Sequence, residues 1–183
     1  MFKDQRLAAR CRRGDREAFC QVYDAHVDQL LGLAVSLLGD TALAEDVVQD
    51  VFVGFARSAA TFRLTGSFRA YLATCTANLA RDVIRRRQRR PEAVLPDSDP
   101  VDVDSKGPLE AAMEKEQSEH VRAALARLPC EQREAIVLRL HGQMKFNQIA
   151  AVQEVSLSTV RSRYRYGLER LRTLLERVEQ RGV

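Results

Sequence analysis

KFNQIAAVQEVSLSTVRSRYRYGLERLR, residues 145–172, carries two patterns on one piece of chain: apolar residues spaced for packing and, between them, arginines and small polar residues. Phe146, Ile149 and Ala150 give a short apolar helical face, the segment Gln153 to Ser156 interrupts it, and the Ser156 hydroxyl is placed to cap a second helix from Leu157. In that second helix Val160, Tyr164, Leu168, Leu171 and Leu175 fall at steps of four and three, which predicts one inward stripe. Ser158, Ser162 and Arg165 then point outward, with Arg161 and Tyr166 on the flanks. Serines let a helix approach a major groove closely, and arginines reach guanine edges or phosphates. The pattern predicts a helix-turn-helix with a DNA-facing second helix; an amphipathic hairpin with a solvated basic face is the plainer alternative.

The chain has 183 residues, enough for one large or two small domains that each bury a core. Hydrophobic residues make up 45% of it, glycine and proline are sparse, and alternating β-branched runs are lacking, so the expected fold class is all-α. A net charge of +4 suits a polyanionic partner. Cys11, Cys20, Cys75 and Cys130 stand singly, with no paired spacing and no histidine at ligand distance, so they read as reduced thiols or small core residues and no metal or cofactor is expected. No apolar run approaches the roughly 18 residues of a membrane span, and no signal-like segment opens the sequence, which predicts a cytoplasmic protein without membrane insertion. His26, His120 and His141 are scattered and no carboxylate cluster accompanies them, so the pattern gives no catalytic constellation and no enzyme is expected.

Working outward to the N-terminus, Lys3 to Arg13 predicts a short basic helix closed at Gly14, and Asp15 is placed to cap a long one running to Leu38. Phe19, Val22, Tyr23, Leu30, Leu33 and Leu37 supply its core positions. Thr41 is placed to cap a third helix whose Ala44, Val47, Val48, Val51, Phe52 and Phe55 face inward. Its other face carries Glu45, Asp46, Gln49 and Asp50; acids in a first turn favour the helix dipole, a reason that fits Asp50 less well. After ATFRLTGSFRAYL, residues 60–72, Ser67 can cap a fourth helix that ends in RRRQRR, residues 85–90. Asn78, Arg81 and Arg85 lie on one side of that helix and predict a phosphate-binding face, with a basic end that merely answers the helix dipole as the alternative.

Residues 91–108 hold Pro91, Pro96, Pro100, Gly107 and Pro108 among acids, the composition of a flexible acidic linker. Extended, such a segment spans roughly 65 Å, long enough for two helical modules to sit on separate surfaces. Helical periodicity returns from Leu109 to Leu128, Pro129 marks a turn, and the helix EQREAIVLRLHGQ is stopped at Gly142. The expected organisation is a helical domain at 1–90, a linker at 91–108 and a helix-turn-helix domain at 109–183.

AEDVVQDVF (44–52), GSFRAYLATCTANLARDVIRRR (66–87), LARLPCEQREAIVLRL (125–140) and IAAVQEVSLSTVRSR (149–163) stand in an order and spacing that resembles the extracytoplasmic-function group of bacterial sigma factors over nearly the whole chain. The resemblance implies sigma regions two and four joined by a linker, and binding to core RNA polymerase, through the largest subunit's clamp helices and the flap, to direct it to promoter DNA. It implies that Asp46, Gln49 and Asp50 dock on the clamp helices. The segment from Phe62 to Phe68, with Arg63 and Ser67, would capture an unstacked base of the minus-10 element, and Asn78, Arg81, Arg85 and Arg86 would face that DNA. Arg139 would meet phosphate at the minus-35 element, which Ser158, Thr159, Arg161, Ser162, Arg165 and Tyr166 would read. An anti-sigma factor is a further implied partner. Glu154 and Ser158 stand where the family usually has glycines, and Tyr166 where arginine is common. The competing reading is a helix-turn-helix regulator that works without polymerase, which leaves the Asp46, Gln49, Asp50 face without a role.

Overall fold

The computed structural model describes residues 2–89 and 118–179, all of them helix, turn or short loop with no strand among them. The linker expected at 91–108 and the helical start expected from Leu109 lie outside the described residues.

The first half is built from α1 (Phe2–Arg12), α2 (Arg16–Leu38), α3 (Thr41–Ser58), a 3₁₀ turn (Ala59–Thr61) and α4 (Phe68–Arg89). Gly14, with φ 76°, turns the chain after α1, and Asp15 caps α2 by accepting from the Ala18 amide at 3.1 Å. The cap of α3 is Asp40 and not Thr41 as the sequence pattern predicts: the Asp40 carboxylate accepts from the Leu43 amide at 3.0 Å, and Thr41 is the first helical residue. Asp40 also accepts from Arg87 of α4 at 2.6 Å, so one carboxylate serves both a helix end and a long-range ion pair. Burial opposes its charge, but the Leu43 amide and the Arg87 guanidinium outweigh that and hold its carboxyl below the usual range.

Helices α2, α3 and α4 enclose a core of Val22, Leu30, Val48, Phe52, Phe55, Phe68 and Leu72. Phe55 and Phe68 are among the largest fully buried side chains, and burying each stabilises the fold by roughly 1.5–3 kcal/mol. Tyr23, expected inside, is 41% exposed and lies against the Phe52 ring at the surface, 4.7 Å between centroids.

The second half holds α5 (helical at 118–126), α6 (Cys130–Leu140), α7 (Phe146–Gln153) and α8 (Leu157–Glu179). The turn between α7 and α8 is closed by Glu154 in the left-handed region, φ 54°, the conformation for which glycine is the usual residue. Ser156 then caps α8, its hydroxyl oxygen accepting from the Thr159 amide at 3.1 Å. The inward stripe of α8 differs from the predicted one at two positions: Leu168 is 36% exposed with Gly167 buried in its place, and Leu174 packs inward in place of Leu175. A Cβ at Gly167 would lie 2.9 Å from Ile136 Cδ1 and 3.2 Å from Gln132 Cβ, so α8 crosses α6 closely enough that a side chain there would force both neighbours to give way. The real stripe is Val160, Tyr164, Gly167, Leu171 and Leu174, with steps of four and three alternating from the first.

The two halves do not stand apart. Leu33 and Leu37 of α2 and Ala73, Ala77 and Ala80 of α4 share one buried cluster with Val137, Leu138, Met144, Ile149 and Val152 of the second half. Alanines on α4 let α6 and α7 approach closely. Polar contacts ring this face: Gln29 Nε2 donates to the His141 carbonyl at 2.8 Å, Arg69 donates to Gln143, and Arg81 pairs with Glu134 at 2.6 Å.

Candidate nucleic-acid interface

The outward face of α8 is assembled by its cap and its packing stripe. With Val160 and Gly167 turned onto α6 and α7, Ser158, Arg161, Ser162, Arg165 and Tyr166 are exposed together. The Ser156 hydroxyl lies 2.8 Å from the Ser158 hydroxyl and 2.7 Å from that of Thr159, so small polar groups crowd the N-terminal end of the helix. Arg165 stacks over the Tyr166 ring, its guanidinium carbon 4.7 Å from the centroid, which stiffens both side chains at the surface. A capped helix end with donors, small residues and arginines on one exposed face has the shape and charge to enter a groove of DNA.

Arg139, the residue that the resemblance assigns to a phosphate, is exposed on α6 and also has a role within the fold. It donates to the Met144 carbonyl at 3.0 Å and lies over the Phe146 ring at 5.3 Å, bracing the turn between α6 and α7.

On α4 three of the arginines are engaged with acids. Arg85 pairs with Asp82 one turn earlier, Arg87 with Asp40, and Arg81 with Glu134 of the second half. Asn78 and Arg86 are exposed on the same helix. The loop before α4 holds its aromatics inside: Phe62 is 9% exposed and Phe68 0%. Phe62 lies 4.6 Å from the Tyr71 ring and Phe68 5.5 Å from Phe55, so both rings brace the loop from below and neither is open to a base in this conformation. What the loop presents is Arg63 and Thr65, with Gly66 at φ 111°. Ser67 is half-buried, its hydroxyl oxygen accepting from the Ala70 amide at 3.2 Å. The start of α4 is pinned once more by Asp4 of α1, which accepts from the Phe68 amide at 3.2 Å. Burial pushes Tyr71 up to about 12, with Cys75 beside it adding to the effect, so it is a neutral phenol at any ordinary pH.

Asp46, Gln49 and Asp50 lie exposed on one side of α3. Beside them lies a groove of about 640 Å³ between α2 and α3, lined by Phe19, Tyr23, Val27, Val48, Phe52 and Val53; the sequence pattern places Phe19, Tyr23, Val48 and Phe52 in the core and does not foresee the groove. Burial raises the Cys11 and Cys75 thiols, in keeping with small core residues; Cys20 is exposed and all four cysteines are free. Among the described residues no group of histidine, cysteine and carboxylate side chains is placed to hold a metal, and no helix is long and apolar enough to cross a membrane.

Sequence reasoning missed a polar network at the meeting of the two halves. Glu134, 6% exposed, accepts from Arg81 and, at 2.9 Å, from Gln153 Nε2; Gln153 in turn accepts from Arg163 of α8 at 2.9 Å. The signal was present: an acid opening the apolar run EAIVL, residues 134–138, on a packed helix face requires a cationic partner.

Residues 22–90 match the family Sigma-70 region 2 and residues 124–173 match Sigma-70, region 4. The chain is 36% identical to the ECF RNA polymerase sigma factor SigE of Mycolicibacterium smegmatis over 82% of its own length, and spans 58% of that relative. With the ECF RNA polymerase sigma factor SigM of Mycobacterium tuberculosis the identity is 33%, covering 94% of this chain and 84% of the relative. Among solved structures it resembles the sigma factor RpoE in complex with the anti-sigma factor NepR from Bartonella quintana, with TM-score 0.70, 26% identity, and coverage of 86% of this chain and 96% of that one. Helical halves in the order region two then region four, with this likeness across both, mean that the chain belongs to the extracytoplasmic-function sigma factors.

Proposed function

We propose that the protein is an alternative sigma factor that binds core RNA polymerase in the cytoplasm and directs it to promoters carrying minus-10 and minus-35 elements. One observation supports this over a simple DNA-binding regulator: the chain presents two exposed helical faces of opposite character, acidic Asp46, Gln49 and Asp50 on α3 and basic Arg161, Ser162 and Arg165 on α8. A regulator needs the second face only. In this reading α3, with the apolar groove beside it, docks on the clamp helices of the largest polymerase subunit, and the second half meets the flap. The α8 face reads the minus-35 element. Arg63, Thr65 and Ser67 with Asn78, Arg81, Arg85 and Arg86 meet the minus-10 strand, the buried Phe62 and Phe68 holding that loop in shape. Because RpoE from Bartonella quintana is held by an anti-sigma factor, a protein partner of that kind is proposed here too. Nothing in this role calls for a catalytic group of the chain's own, since bond formation belongs to the polymerase.

Transcription by purified core polymerase on a promoter library, with and without this protein, tests the reading. Discrete start sites that need the protein are expected, and Asp50→Ala with Asp46→Ala should weaken core binding while helicity and Tm stay unchanged. If the protein binds duplex DNA yet never redirects polymerase, the regulator reading is the correct one.

A further inference from the structure

α1 carries no residue of the acidic face or of either DNA-facing surface, and it lies outside residues 22–90, the stretch matched to region two. Asp4, Leu7, Ala8 and Cys11 fall at steps of three, one and three, so they share one face of this helix. That face is turned inward: Ala8 and Cys11 are each 4% exposed and belong, with Leu7 packed beside them, to the core that holds Phe62 and Phe68. An acid on such a face needs a donor. Asp4 finds it in the first amide of α4, where Phe68 N donates to Asp4 Oδ2 at 3.2 Å across 64 positions of sequence. That amide is one of the four at a helix start that have no partner within the helix, and the Ser67 hydroxyl already serves the Ala70 amide. α1 also packs on the 3₁₀ turn Ala59–Thr61, so one helix touches the chain on both sides of the 62–67 loop. Its far end is fixed to α2, where Arg10 pairs at 2.7 Å with Asp15, the cap of that helix.

Between those two points the loop is held from below by the buried rings of Phe62 and Phe68 and by Leu64. Arg63 and Thr65 are exposed, and Gly66, with φ 111°, stands between them and α4 in a backbone region that other residues rarely adopt. A glycine lets the chain pivot there, so the direction of Arg63 and Thr65 depends on where α4 begins. Asp4 fixes that beginning. We propose that Asp4 is a positioning residue for minus-10 recognition: it holds the first amide of α4 and with it the pose of the loop that takes the minus-10 base. This rests on the reading of that loop as a minus-10 contact. Asp4 itself touches no DNA; it acts through the backbone at the start of α4.

Holoenzyme assembled from the full chain and core polymerase, offered a promoter library randomised at both elements, tests this. Asp4→Ala should relax the preference at one minus-10 position by about tenfold, the scale of one well-placed base contact, and leave the minus-35 preference as it was. Asp4→Asn, whose side-chain oxygen still accepts from the Phe68 amide, should keep the parent's preference. Leu7→Ala thins the packing of α1 and leaves the bond in place, so it should lower Tm with the minus-10 preference intact. Those three results together support the clasp. An unchanged minus-10 preference in Asp4→Ala overturns it, as does an equal loss in Asp4→Asn. An equal loss in Leu7→Ala overturns it too, because stability and not the bond would then be the cause. Arg63→Ala separates the clasp from the reading beneath it. A shift there with none in Asp4→Ala condemns the clasp alone, and no shift in either condemns the loop as a minus-10 reader.

Discussion

Helices α4 and α8 are near twins on paper, 22 and 23 residues long, each rich in arginine, each assigned to DNA by its pattern. In the folded chain they differ. Arg81, Arg85 and Arg87 of α4 meet Glu134, Asp82 and Asp40, whereas on the groove-facing half of α8 Arg165 stacks on Tyr166 and Arg163 bonds the neutral Gln153, the acid pair of that helix, Arg172 with Glu176, lying towards its far end. A basic run is therefore a binding face only when no acid of the same chain can reach it first, and reach is a property of packing. α4 sits between α2, α3 and the second half, so acids approach it from several elements; α8 packs on α5, α6 and α7 along one stripe and leaves its other side to solvent.

The contrast can be broken most strongly at the anchor of α4. Phe68 is fully buried among Phe55, Phe62 and Leu72, so Phe68→Ala should lower the unfolding free energy by about 3–5 kcal/mol in urea titration. No aromatic of comparable burial anchors the start of α8, where Leu157 is 38% exposed, and Leu157→Ala should lose far less. The anchor of α8 is instead its close crossing at Gly167. Gly167→Leu should overpack against Ile136 and Gln132 and destabilise by about 1–3 kcal/mol, while the neighbouring Leu168→Ala stays within about 1 kcal/mol of the parent. Equal effects at 167 and 168 would restore the stripe predicted from the sequence.

On the exposed side, Arg161→Ala or Arg165→Ala should change the base preferred at one position of the minus-35 element in a selection experiment, by about 1–3 kcal/mol, with stability untouched. Arg139→Ala should behave otherwise, lowering Tm as well as affinity, because Arg139 holds the Met144 carbonyl and covers Phe146. A shift of preference with Arg139→Ala and none with Arg161→Ala would reverse these assignments.

The smallest effect concerns Asp40, the acid that ties up Arg87. Its carboxyl is held below the ordinary range in the folded chain, so the stability it adds is present above the unfolded value near 3.9 and is lost as pH falls through the lower folded value. Asp40→Asn keeps the cap and removes the titration. The variant should be less stable than the parent at neutral pH by about 1 kcal/mol or less, with the gap closing on acidification below about pH 4. A gap independent of pH would mean that the Arg87 pair contributes nothing.

The amino-acid sequence by itself determined the elements and most of their ends. Gly14, Asp15, Ser67 and Ser156 act where their chemistry predicts, since a cap or a left-handed turn is a contract between residues three or four apart. It also determined that Ser158, Arg161, Ser162 and Arg165 share an outward face, because helical periodicity places side chains without reference to a neighbour. Tertiary structure decided whatever depends on how closely two helices approach. It turned Gly167 inward and Leu168 out, left Tyr23 at the surface, put Phe62 and Phe68 beneath their loop, and gave Arg81 to Glu134. Glu134 and Arg81 are more than fifty positions apart in the chain. Periodicity assigns each to a face of its own helix, but only the meeting of the two helices, close-packed over alanine, decides that a buried negative charge and a basic face become partners.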